Sequence, residues 1–432
     1  MNLSVLSLEN APRFGAPLRF FASVPVFGML AALILFMDGD QLLQSRWHPA
    51  TLAITHAFTL GYIAMGMLGA LLQMLPVVMG ASLPRVEGSA TLMHLLLAAG
   101  TLSLIAGFLT NLTSLFAVAL LLLVPGLGVF ALAVVIAIWR AGTAGATARA
   151  VQMAALALLV TLALGAWLVS GYAFEALQIE RSLTDYHAAW GVIGWILMLI
   201  IGVSAQVIPM FLTTPAYPDA FNLRLVYLLM LLLIAVSLFS FAAVTRTVTV
   251  LVAALMILYA AVTLYLLARR RRKRFDVTDR FWRLGMLCLT GAGGVLLYDV
   301  LVGAQMDRDL AVLYGLLLLA GFAVSLINGM LYKIVPFLVW LNLRLPVLKG
   351  QVPAGTRLYA PNIHEVIPAR LMQVQFWLHT GSLLLLLAAL LARGHWIDAA
   401  AILLLLSNLL LLINLLKAVH VYSTYCKARD HR

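Results

Sequence analysis

Cysteine is nearly absent from this chain: two in 432 residues, Cys288 within an apolar run and Cys426 in a charged tail. So few, and so differently placed, they exclude a disulfide framework. Charge is scarce too, at 10% of residues against the about 25% usual in soluble domains, which excludes an ordinary soluble enzyme. Acids are scarcer than bases, 16 against 28, for a net charge of +12. No CxxCH haem attachment, nucleotide-binding glycine loop or HExxH zinc pair occurs, so a cofactor, if held, is held without thioether bonds. A cleavable leader is not expected. Met1 to Ala16 lacks a basic start, and the run Phe20–Phe36 leads into Asp38 and Asp40 without a small-residue cleavage pattern.

What the chain has instead is apolar residue after apolar residue, 64% of the total. Runs long enough to cross a bilayer lie near 18–36, 51–80, 90–109, 113–139, 149–172, 184–212, 223–244, 247–268, 283–304, 311–340, 371–392 and 396–420. The sequence therefore predicts an all-α polytopic membrane protein with twelve transmembrane helices and the lipid bilayer as its first partner. With the N-terminus inside, 23 of the 28 basic residues fall on the cytoplasmic side, so the positive-inside rule predicts cytoplasmic N- and C-termini. A bacterial-type inner (plasma) membrane suits this reading. The block RRRRKR at 269–274 then acts as a topology anchor or anionic-lipid contact, and no nucleic acid is needed to account for it.

A repeat organises the spans. Gly69-x3-Gln73-x2-Pro76, Gly202-x3-Gln206-x2-Pro209 and Gly329-x3-Lys333-x2-Pro336 each close a long span, with the prolines 133 and 127 residues apart. Each period holds four spans, so the expected fold is three pseudo-symmetric four-helix arcs, roughly 1–145, 146–275 and 276–432, within one transmembrane domain. The second, sixth and tenth spans should lie innermost. Glycine there permits close packing, and proline ends or bends a helix where neighbours satisfy the freed backbone.

Few groups inside these spans can do chemistry. His56 stands 20 residues before Pro76 and His187 stands 22 before Pro209, both at the head of an inner span. The corresponding place in the third repeat is Tyr314, and no histidine occurs from 311 to 336. His94 heads the third span and His379 lies within the eleventh, the same helix of its own group. Neutral imidazole ligates haem iron and copper, so these four are the candidate ligands. The competing reading is an interfacial hydrogen-bonding group. It weighs on His94 and more heavily on His48, His364, His395, His420 and His431, whereas the repeat alignment of His56 and His187 favours ligation. A free ring nitrogen of His56 needs an acceptor, and the carbonyls of Leu52 and Ala53 are within reach on its own helix. Asp299 and Lys333 are intramembrane charges and so functional candidates, with Lys333 read as reaching the headgroups along its stem. Met65, Met67, Met74 and Met79 fit ordinary packing better than ligation.

These residues resemble a family. Thr55-His56, Gly69, Gln73, Pro76, Gly80, Ala81, Pro84 and Arg85 follow the order of the second helix and following loop of haem–copper oxidase subunit I, and Ala320 through Gly329 to Pro336 is similar to its tenth helix. Trp47-His48 with the His56 span also looks like the NnrS family, haem- and copper-containing membrane proteins linked to nitric oxide tolerance. The resemblance implies twelve helices in three arcs, haem b with copper as a second metal, and His56 as an axial ligand. It implies an electron-donor protein or quinol as partner. His187 matches, more loosely, a sixth-helix copper histidine. The chain departs from the oxidases at the tenth helix, where Tyr314 and Leu316 replace two haem-ligating histidines, and at the seventh, where Leu223 to Val244 lacks a histidine pair. A complete oxygen-reducing centre is therefore not expected. His379 then becomes the expected second axial ligand, with His187 and His94 left to a separate metal site. Three functions stay open: a haem-binding redox or nitric-oxide-related protein, a haem, copper or small-molecule transporter or assembly factor, and a structural protein with degenerate sites.

Overall fold

The computed structural model describes residues 11–42, 45–81, 83, 86–142, 145–174, 182–239, 241–272, 276–303, 306, 308–348, 361–362, 365–392 and 396–430. Among the described residues, twelve helices are long and apolar enough to cross a membrane, and there is no strand. They are α1 (Gly15–Gly39), α2 (Pro49–Val78), α3 (Glu87–Thr110), α4 (Thr113–Ala141), α5 (Ala146–Ala173), α6 (Leu183–Leu212), α7 (Phe221–Leu238), α8 (Ala242–Ala268), α9 (Val277–Val302), α10 (Asp309–Leu345), α11 (Ala369–Leu391) and α12 (Trp396–Cys426). The chain is a multi-pass membrane protein. Its outward face is apolar, with Leu121, Trp139, Leu301 and Leu391 largely exposed to the surroundings, as a bilayer solvent allows. The seventh span closes at Leu238, earlier than the apolar run predicts. Phe239 leaves helical geometry and the chain restarts at Ala242, so Val244 belongs to α8.

Glycine builds the interior. A Cβ on Gly69, Gly202 or Gly329 would lie 2.7, 2.5 and 2.8 Å from Phe21, Ala150 and Phe281, so each inner helix rests backbone-close on α1, α5 or α9. A second set, Gly61, Gly194 and Gly321, repeats the device two turns earlier, where a Cβ would meet Phe27 at 2.2 Å, Ala157 at 2.9 Å and Cys288 at 2.7 Å. Each glycine of this second set sits inside a π-helical segment: Ala57–Ala64 in α2, Trp190–Leu197 in α6 and Leu316–Val324 in α10. Wide π turns are rare and concentrate at functional sites. Pro76 and Pro209 lie near the ends of α2 and α6, but α10 runs on past Pro336 to Leu345, so the third proline does not end its helix.

The three inner helices meet around a small apolar cavity of about 70 Å³. Its wall is built almost wholly from equivalent positions: Gly66, Leu199 and Leu326; Met67, Ile200 and Ile327; Ala70, Val203 and Met330; Leu71, Ser204 and Leu331; Met74, Val207 and Ile334. The repeat is thus a repeat of packing as well as of letters. Beside it, a buried polar network ties α10 to α2, α11 and α12. Tyr62 donates to Asn328 Oδ1 (2.8 Å), Gln375 Nε2 to Asn328 Oδ1 (3.3 Å) and Ser407 (2.9 Å), and Asn414 to the Tyr332 hydroxyl (3.0 Å). Between helices in lipid, such bonds act as adhesive.

Candidate functional site

α2 begins where it does because His48, in extended backbone, caps it: its Nδ1 accepts the N–H of Ala50 at 3.3 Å, and Pro49 takes the first helical position. This sets His56 two turns in, just before the π segment. Its Nδ1 lies 2.8 Å from the carbonyl of Leu52. A carbonyl only accepts, so Nδ1 carries the hydrogen, and in the neutral ring Nε2 keeps its lone pair. His187 on α6 reaches the same state by a different route, since its Nδ1 lies 3.0 Å from the carbonyl of Thr161 on α5.

The two rings lie side by side, centroids 6.3 Å apart and planes 23° from parallel. Phe108 of α3 stacks on His56 at 5.5 Å, and Phe116 and Tyr172 meet Phe108 edge-on at 5.2 and 5.6 Å, so an aromatic wall holds the imidazole. Glycine makes the room for His187: a Cβ at Gly165 would sit 2.8 Å from its Cε1. Both histidines border a cavity of about 230 Å³ enclosed by α2 to α6 and Trp47. Among the described residues, the wall is mostly aliphatic and aromatic and includes no Asp, Glu, Lys, Arg or Cys. Its threonines turn inward on their own helices. Thr55, Thr59 and Thr161 donate to the carbonyls of Thr51, Thr55 and Ala157 at 2.7, 2.9 and 2.8 Å.

The other candidates lie elsewhere. His379, expected to pair with His56, is buried and shares its Nε2 with the Ser325 hydroxyl of α10 at 2.8 Å, against the ring of Phe281. It is absent from the cavity wall. The structure pairs His56 with His187 because α2 and α6 turn these rings into one space, while α11 turns His379 toward α10. His94 also bonds a serine, Nε2 to the Ser23 hydroxyl of α1 at 2.8 Å, and takes no part in the cavity. His187 therefore stands in one site with His56, and not in a separate site with His94. Among the described residues, no group of three or more His, Cys, Asp and Glu side chains gathers to hold a bare metal ion. Lys333 is ion-paired: its Nζ lies 2.6 Å from Asp276, which also caps α9 by accepting the N–H of Thr278 at 3.0 Å. Asp299 accepts the N–H of Met306 and so closes the turn after α9. Tyr314, the third-repeat counterpart, lies outside the cavity wall. Pro84, Arg85, His364, His395 and His431 fall outside the described residues.

Phe108, Thr161, Gly165 and Tyr172 escape the sequence reading. Their roles depend on which helices adjoin α2 and α6, which no local pattern states. No protein-family model matches the chain, and no curated protein matches it. The fold and the site together define a multi-pass helical membrane protein that places two imidazoles on the wall of one largely apolar cavity.

Proposed function

We propose that this protein binds a b-type haem between His56 and His187 and serves in one-electron redox or nitric-oxide-related chemistry in the membrane. The observation that carries the reading is the paired imidazoles, each with Nδ1–H fixed on a backbone carbonyl and Nε2 left as a ligand. The two ring centroids are 6.3 Å apart on the wall of one cavity, close enough for both imidazoles to serve one bound group. A bare ion would need further donors that this wall lacks. A haem brings its own four nitrogens and asks the protein for two, and its apolar faces suit aliphatic and aromatic walls.

Bound there, haem would supply a reversible one-electron couple. His56 and His187 would hold its iron, the Leu52 and Thr161 carbonyls fix their tautomer, and the largely apolar wall would limit water around it. The missing oxidase histidines weigh against a complete oxygen-reducing centre. The resemblance to haem–copper oxidase subunit I and NnrS proteins supports the assignment, and the meeting of α2, α6 and α10 around the separate small apolar cavity suits the fold that the resemblance implies. The accompanying fold is three four-helix arcs with both termini cytoplasmic, and a quinol or small redox protein is the proposed donor.

The test is an absorption spectrum of protein purified after haem supplementation, oxidised and dithionite-reduced. His56→Ala and His187→Ala are expected to lose or shift the Soret and alpha bands, while His94→Ala and His379→Ala keep them. Wild-type protein without haem absorbance would contradict the reading and move the site to a transporter or structural role.

A further inference from the structure

Of the residues that line the cavity, Trp47, Thr184 and Ala188 stand nearest the starts of α2 and α6, and Trp47 is half-buried. The turn bearing Trp47 is pinned locally: Thr51 donates to the carbonyls of Ser45 (2.9 Å) and Leu42 (3.1 Å), and Ser45 Oγ accepts the Trp47 N–H at 3.1 Å. The Arg46 guanidinium lies 4.6 Å from the centre of the Trp47 ring and 2.7 Å from the carboxylate of Asp185. Asp185 stands two residues before His187 on α6. One arginine thus joins Trp47, just ahead of α2, to the helix that carries the second imidazole. The pair is open to water, with side chains 41% and 63% exposed, so it is weak and readily broken.

We propose that Trp47 and the Arg46–Asp185 pair form a latch over the cavity, and that water-borne ligands reach the paired imidazoles when it opens. The inference rests on the reading of this cavity as a ligand site. It adds the route and its control: ligands arrive from the aqueous end of α2 and α6, and the latch is sensitive to ionic strength because its closing force is a solvent-exposed charge pair.

The experiment needs no haem. Thr59, on the cavity wall one turn below His56, is replaced by cysteine in a Cys426→Ser background, with Cys288 left buried, and its labelling by a water-soluble maleimide is timed in purified protein. Arg46→Gln and Asp185→Asn are each expected to raise the rate roughly 1.5- to five-fold, the range an exposed pair commands. The double variant should label no faster than either single one, and the swap Arg46→Asp with Asp185→Arg should return the rate toward wild type. Trp47→Ala should raise it tenfold or more. Arg13→Gln, which breaks an exposed pair with Glu87, should change nothing. Wild-type rates in all latch variants, or additive effects in the double variant, overturn the latch. A protein that shows the latch by labelling but never takes up haem would instead refute the haem reading and leave the gate standing.

Discussion

The side chains of the site owe their state to main-chain neighbours. His56 finds its acceptor one turn back on its own helix, which the i−4 spacing makes legible in the sequence. His187 finds its acceptor on α5, 26 residues away, and nothing in the letters announces that. Thr161→Val should therefore leave haem content unchanged, because the Thr161 hydroxyl is bonded to Ala157 and the acceptor is backbone. Gly165→Val places branched carbon where Cε1 of His187 now lies and should cut haem stoichiometry, read as pyridine haemochrome per protein, by tenfold or more. An unchanged stoichiometry would remove His187 from the ligand set.

At the scale of elements, the repeat governs packing. Gly202→Leu forces a side chain into Ala150, whose Cβ is 2.5 Å from where the new Cβ would stand; overpacking of this kind costs about 1–3 kcal/mol and should lower the thermal midpoint in detergent. Gly294 on α9 is the contrast, since a Cβ there meets nothing within 4 Å, and Gly294→Ala should be neutral or stabilising by up to about 1 kcal/mol. Gln375→Ala strips partners from Asn328, Ser407 and Tyr332 together and should destabilise by about 1–3 kcal/mol. The glycines at 69, 202 and 329 are plain in the sequence, because a proline seven residues on marks each. The glycines at 61, 194 and 321 recur at the same spacing, yet without a neighbouring proline they look like chance in an apolar run. The π segments around them were legible only through that missed register.

For the whole molecule, membrane character and helix count follow from composition, since hydrocarbon admits few alternatives to helices. Ends of helices and contacts between groups were less legible, because in lipid one apolar side chain looks like another and shape decides which helices meet. That is why His379 was the natural partner on paper and His187 is the neighbour in space. Reporter fusions in the loops after α5 and α9 should report the non-cytoplasmic side, and cytoplasmic signals from both would reverse the orientation. The central claim, one iron between His56 and His187, is tested most directly by electron paramagnetic resonance of the ferric, haem-loaded protein. The expected result is a low-spin bis-imidazole signal in the wild type and in His379→Ala, converted to high spin or lost in His187→Ala. A low-spin signal that survives His187→Ala and disappears in His379→Ala would contradict it.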